Sequence, residues 1–211
     1  IALDELPGNP LDHLQAVETL AAILHRLAHA VGAVDHHLHR KCYAYEGSAR
    51  IPFVVRYPAG ADLPTGTFEH PVGLQDVMPT ILDAVGVPIP EGVTGKSVLS
   101  AVRGDDWREF IHGEHSPCYS PDVANHYLTD GKEKFIWYPK SMEEQFFDLT
   151  GDREERDNLI HAPDRQGRVD LWRGRLIEIL ARRDDGFSDG SRLLQKSNWG
   201  AMVADNRVEK R

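Results

Sequence analysis

Apolar residues recur at helical spacing in three stretches of the chain, and at shorter, strand-like spacing in several others. In LDHLQAVETLAAILHRLAHAV (residues 11–31), Leu14, Val17, Leu20, Leu24, Leu27 and Val31 form one stripe; Pro10 and Asp12 suit its start and Gly32 its end. In VGLQDVMPTILDAVG, Leu74, Val77, Met78, Ile81, Leu82 and Val85 share a broad face that stops at Gly86, which predicts a helix packed on a sheet. RQGRVDLWRGRLIEILARR sets Val169, Trp172, Leu176, Ile179 and Leu180 in phase, which predicts an amphipathic helix. Ile51 to Tyr57 is rich in β-branched and aromatic residues, contains Pro52 and is closed by Pro58, and reads as a buried strand.

After Gly104 the texture changes. WREFIHGEH, NHYLTD, GKEKFIWY and EQFFDL are short strand-like pieces, and Asp130-Gly131 between alternating residues is a hairpin signal. The pattern divides the chain into four parts. Residues 1–34 form a helical segment and residues 35–104 carry the strand–loop–helix rhythm of an α/β core. Residues 105–185 form a smaller α+β unit, a four-stranded antiparallel sheet under one helix, and 186–211 are a polar, loosely held tail.

Composition narrows the function. With 211 residues and 41% hydrophobic content, the chain can bury a core. Its formal net charge of -9 argues against general nucleic-acid binding, which needs a basic face. Two cysteines, Cys42 and Cys118, cannot form a disulfide framework or a thiolate metal site, so a reducing, cytoplasmic setting is expected. No apolar run reaches membrane-spanning length, and IALDELPGNP lacks the basic-then-apolar order of a signal peptide.

Three segments, in order, resemble the carboxyl-terminal part of the sulfatases of the alkaline-phosphatase-like superfamily. DHHLHRKCYAYEGSARIPFVVRYP is similar to the stretch around that family's sulfate-contacting lysine and the strand after it. HPVGLQDVMPTILDAVGVPIPEGVTGKSVL is similar to the following helix and its Gly-x-Ser-Leu element. HYLTDGKEKFIWYP with EQFFDLTGDREERDNL resembles the last hairpin and a Phe-Asp-Leu…Asp-x-x-Glu…Asn-Leu signature. The resemblance runs from about Asp35 to about Leu194 and is closest to bacterial arylsulfatase-like members. It implies an α/β fold: the end of the sulfatase core followed by the α+β subdomain.

The resemblance also implies chemistry. Lys41 would contact the sulfate, and the substrate class would be sulfate esters or other small anions. A compact ammonium suits that role, because hydrolysis of a sulfate monoester moves negative charge onto the departing oxygen. Arg50 and Arg56 read as structural ion-pair partners. His36 and His37 lie in the matched segment, and His37 with His115 is assigned to substrate binding. The complete enzyme would use a divalent metal, Ca²⁺ first with Mn²⁺ or Mg²⁺ as alternatives, and a formylglycine made in a Cys-x-Pro/Ala-x-Arg motif. Here Glu46 and Asp122 stand where Cys42 and Cys118 would need the arginine, so the formylglycine is not encoded and this chain alone is expected to be inactive. The family's second metal-binding pair falls on Ala28 and His29, which leaves His29 as a degenerate metal ligand.

Six of the eleven histidines precede Lys41, and His25 with His29 share a helix face at zinc-binding spacing. Arg26 between them would repel a cation, and solvated or core-edge histidines are the plainer reading. In FIHGEH, strand alternation places His112 and Glu114 on one face and His115 on the other. Asp130 reads as a turn residue, and Asp148 and Asn158 as local caps. The competing function is a non-catalytic anion- or protein-binding module of the same ancestry. Self-association through an exposed sheet edge is expected as well.

Overall fold

The computed structural model describes residues 42–57, 63–117, 120–197 and 199. Its centre is an antiparallel sheet in the order β1 (Ile111–His115), β2 (Asn125–Thr129), β3 (Glu133–Trp137) and β4 (Glu144–Asp148). The Asp130-Gly131 signal closes the β2–β3 hairpin as predicted. Gly131 takes φ 85°, and the Asp130 carboxylate accepts the N–H groups of Lys132 and Glu133 at 2.8 and 2.7 Å. Asp148 makes a local turn bond as read, its Oδ1 accepting from Thr150 N; Asn158 Oδ1 accepts locally from Ile160 N but also from Phe146 N, twelve residues away, and so ties its loop to β4.

Both faces of the sheet are covered. The helix predicted from Val169, Trp172, Leu176 and Leu180 spans Gln166–Ala181, and those four residues pack on Leu128, Phe135, Trp137 and Phe146. On the opposite face Ile136, Phe147 and Leu149 meet Ala44, with Tyr43, Tyr45 and Tyr127 around them. Residues 42–49 are thus bound to the back of the sheet, ending in a single helical turn, α1 (Glu46–Ala49).

One buried cation fixes that attachment. Lys134 in β3 is fully buried, and its Nζ lies 2.8 Å from Glu46 Oε1, 2.8 Å from Glu155 Oε1 and 2.8 Å from the Ala44 carbonyl. The Glu155 carboxylate also accepts the backbone N–H of Glu46. Glu155 sits at φ 54°, a left-handed conformation uncommon for a residue with a side chain, so these contacts hold a strained backbone. Burial pushes its carboxyl up, with the Lys134 charge opposing.

A second buried charge organises residues 71–110. Asp76 is fully buried at the start of α2 (Val77–Ala84); it receives both guanidinium nitrogens of Arg108 at 2.7 Å and the N–H groups of Gly73 and Lys96 at 2.8 Å. Thr80 Oγ1 accepts from Val98 N, tying α2 to α3 (Val98–Arg103), whose first turn is capped by Ser97. The long helix, α4 (Gln166–Ala181), completes the set.

Three expectations need correction. Ile51–Tyr57 pairs with no strand among the described residues, and Phe53, Val54 and Val55 are exposed; a strand needs a ladder partner, and none is present there. Helix α2 forms, but it does not pack on a sheet among the described residues, and Leu74, Met78 and Ile81 face outward. The segment after Gly186 is not loose as far as Ser197. Phe187 and Leu193 are buried, Leu194 N bonds the Phe187 carbonyl at 2.8 Å and Lys196 N bonds Pro139 O at 3.0 Å. Apolar residues inside that polar stretch dock it on the core.

Removing the Lys134 amine should leave two carboxylates facing each other in a site largely shielded from solvent. Lys134→Met is expected to lower unfolding stability by about 3–5 kcal/mol, read from urea midpoints at neutral pH. A loss no larger than that of an exposed lysine would show that the triad is not holding segment 42–49.

Candidate functional site

The edge strand β1 carries chemistry on both faces. Its register sets His112 opposite Leu128, Glu114 opposite His126 and His115 opposite Asn125. Alternation then sends His112, Glu114 and His126 to the α4 face, and His115 and Asn125 to the face that holds residues 42–49.

On the α4 face, His112 Nε2 lies 3.2 Å from His126 Nδ1, and that nitrogen lies 3.4 Å from Glu114 Oε2. The two imidazoles stack with centroids 5.4 Å apart, and His126 packs against both Trp137 and Phe187, which also touch each other. Arg183 donates to Glu114 at 2.5 Å and pairs with Asp185 at 2.5 Å. Burial, with the Arg183 charge adding to it, pushes His112 down to about 4. Burial and the neighbouring His112 push His126 well below the ordinary histidine range. Both rings are therefore neutral at neutral pH. Glu114, His115, Ser116, His126, Arg183, Phe187 and Trp199 line a shallow cleft at the strand end.

On the other face, Asn125 Nδ2 donates to the carbonyl of Cys42 at 2.9 Å, joining β2 to the backbone one residue after Lys41. His115 is half-buried, and burial lowers its pKa. Of the site residues read from sequence, His115 is placed. Lys41, His37 and His29 lie outside the described residues, as do His36, His25 and Cys118. Sequence reading did not single out His126, Lys134 or Asp76. The β1–β2 connection, residues 116–124, carries Ser-Pro and Pro-Asp turn signals but is too long for them to fix a strand register, so nothing in the pattern brings His126 beside His112.

Residues 34–181 match the family described as N-sulphoglucosamine sulphohydrolase, C-terminal. The chain belongs to that family. An arylsulfatase of Clostridium perfringens (strain 13 / Type A) is 41% identical over 167 residues, covering 76% of this chain and 34% of that protein. A choline-sulfatase of Rhizobium meliloti (strain 1021) is 32% identical over 175 residues, covering 80% of this chain and 32% of the relative. The chain thus spans about a third of the length of these curated relatives. A solved 2-O GAG sulfatase is 21% identical with a TM-score of 0.48, covering 59% of this chain and 30% of that one.

A sulfatase cation such as Ca²⁺ or Mg²⁺ takes an oxygen shell. Among the described residues the one cluster with ligand geometry is His112, Glu114 and His126, whose two nitrogens do not fit that ion. No helix among the described residues is long and apolar enough to cross a membrane.

The histidine pair sets a pH dependence. His112 has a folded pKa of about 4 against an ordinary 6.5, so the unfolded chain takes up the proton first. Its contribution is complete above about pH 6.5 and is lost as pH falls toward about 4, a change on the order of 3 kcal/mol. Urea midpoints measured with chelator present should fall across that window. His112→Gln should flatten the fall; an unchanged slope would count against a buried neutral ring.

Proposed function

We propose that this chain supplies the carboxyl-terminal module of a sulfate-ester hydrolase, with Lys41 contacting the sulfuryl group. His37 and His115 contribute to substrate binding in this reading. The observation that carries it is the attachment of residues 42–49. Lys134 holds Ala44 and Glu46, and Asn125 holds the Cys42 carbonyl, so the backbone directly following Lys41 is tied at several points to a rigid sheet. An anion-contacting lysine gains most when its chain is fixed before the charge develops. The ladder sets His115 beside Asn125, on the face that carries this segment.

The complete enzyme would use a divalent cation and a formylglycine, with His29 as a weak remaining ligand. The cation would supply charge stabilisation at the reacting oxygens. Neither Cys42 nor Cys118 has the arginine that formylglycine formation needs. The substrate class follows the family: arylsulfatase and choline-sulfatase are among the relatives.

An aryl sulfate assay with added Ca²⁺ or Mn²⁺ tests the reading. The 211-residue chain alone should give no turnover above background. Fused, in place of residues 1–34, to an upstream region carrying Cys-x-Pro-x-Arg and both metal-binding pairs, it should become active, and Lys41→Ala should then cut kcat by roughly a hundredfold or more. Robust turnover by the chain alone, or an active fusion indifferent to Lys41→Ala, would overturn it.

A further inference from the structure

We propose that His112, Glu114 and His126 form a site for a divalent transition-metal ion of the Zn²⁺ kind. This site lies on the α4 face of the sheet and does not depend on the sulfatase reading. Each residue offers one ligand atom, and the three atoms lie within 4.8 Å of one another. In a tetrahedral site with metal–ligand bonds of about 2.0–2.1 Å, neighbouring ligand atoms stand roughly 3.3–3.4 Å apart. The His112–His126 and His126–Glu114 separations of 3.2 and 3.4 Å already have that length. Only a small movement of Glu114 or His112 is needed to close the third edge.

The scaffold is suited to the task. His112 and Glu114 are alternate residues of one strand, and His126 faces Glu114 directly across the ladder. The His126 ring is held by Trp137 and Phe187, so one ligand is preset. Two imidazole nitrogens and one carboxylate oxygen favour Zn²⁺, Co²⁺ or Ni²⁺ over Ca²⁺ or Mg²⁺. Arg183 beside Glu114 is the opposing charge, and Asp185 on the same guanidinium offsets it. Glu114 and His126 line the cleft, which leaves a fourth position for water. The ion would pin the edge strand β1 to β2.

Co²⁺ added to the full 211-residue chain provides the test, with Zn²⁺ as competitor. The expected result is one equivalent bound with the intense visible bands of tetrahedral cobalt, displaced by Zn²⁺, and a raised thermal midpoint. Glu114→Gln should weaken binding at least roughly tenfold, and His112→Ala more. The double variant His25→Ala/His29→Ala should keep the bands. Glu114 is accessible enough for Glu114→Gln to fold even if His112→Ala does not, which far-UV circular dichroism will show. Absent bands, affinity unchanged in Glu114→Gln, or bands lost only in the His25/His29 variant would each overturn the proposal.

Discussion

The ammonium of Lys134 is the constraint on which the rest of the structure depends. A lysine with no solvent exposure keeps its charge only when ionised partners and a carbonyl replace the lost water. Glu46, Glu155 and the Ala44 carbonyl do so here, each at 2.8 Å. Those groups come from two remote parts of the chain, the segment carrying Ala44 and Glu46 and the loop at Glu155, and meet at one point on β3. The contact therefore specifies where residues 42–49 lie and how the loop around Glu155 is bent. It acts as a register pin more than as a source of net stability.

That pin gives β3 two buried faces. Phe135 and Trp137 face α4, while Lys134 and Ile136 face residues 42–49. The neighbouring strands inherit the same division. On β1, one residue of shift separates His112 and Glu114, which join His126 against α4, from His115, which belongs to the other face. Gly113 between them leaves room for the Tyr127 ring, which any Cβ at that position would meet at about 2.2 Å. Two different chemistries can thus occupy opposite sides of one five-residue strand.

Much of the small unit was legible in the sequence because its signals are local. The helix phase of Val169, Trp172, Leu176 and Leu180 and the Asp130-Gly131 turn depend on residues close along the chain. The local turn bonds of Asp148 and Asn158 were legible for the same reason, whereas the Asn158 bond to Phe146, twelve residues away, was not. Lys134 was not, because in GKEKFIWY it looks like any strand lysine and its partners are remote. His126 was missed because its approach to His112 depends on strand register, which the long β1–β2 connection does not encode. The pattern of Ile51–Tyr57 fits a strand, yet pairing belongs to the partner and not to the segment itself.

Charge accounting bears on where an anion could be received. The chain carries a formal -9, and Arg108, Lys134, Arg168, Arg173 and Arg183 are each matched by a carboxylate. A cation already paired offers little to a sulfuryl oxygen, whereas an unmatched one at about 4 Å supplies roughly 4 kcal/mol near a protein surface. In such an acidic chain, anion recognition must be concentrated at a few positions. In the proposed reading the segment Lys41–Ala49 would be one of them, and the acidic residue within it, Glu46, is already engaged by Lys134. Because Lys134 is shared with Glu155, Arg50 at 3.7 Å supplies the second cation beside Glu46. Lys134 and Arg50 together set two cations against the two carboxylates of Glu46 and Glu155, so the contacts that fix the backbone carry no excess negative charge.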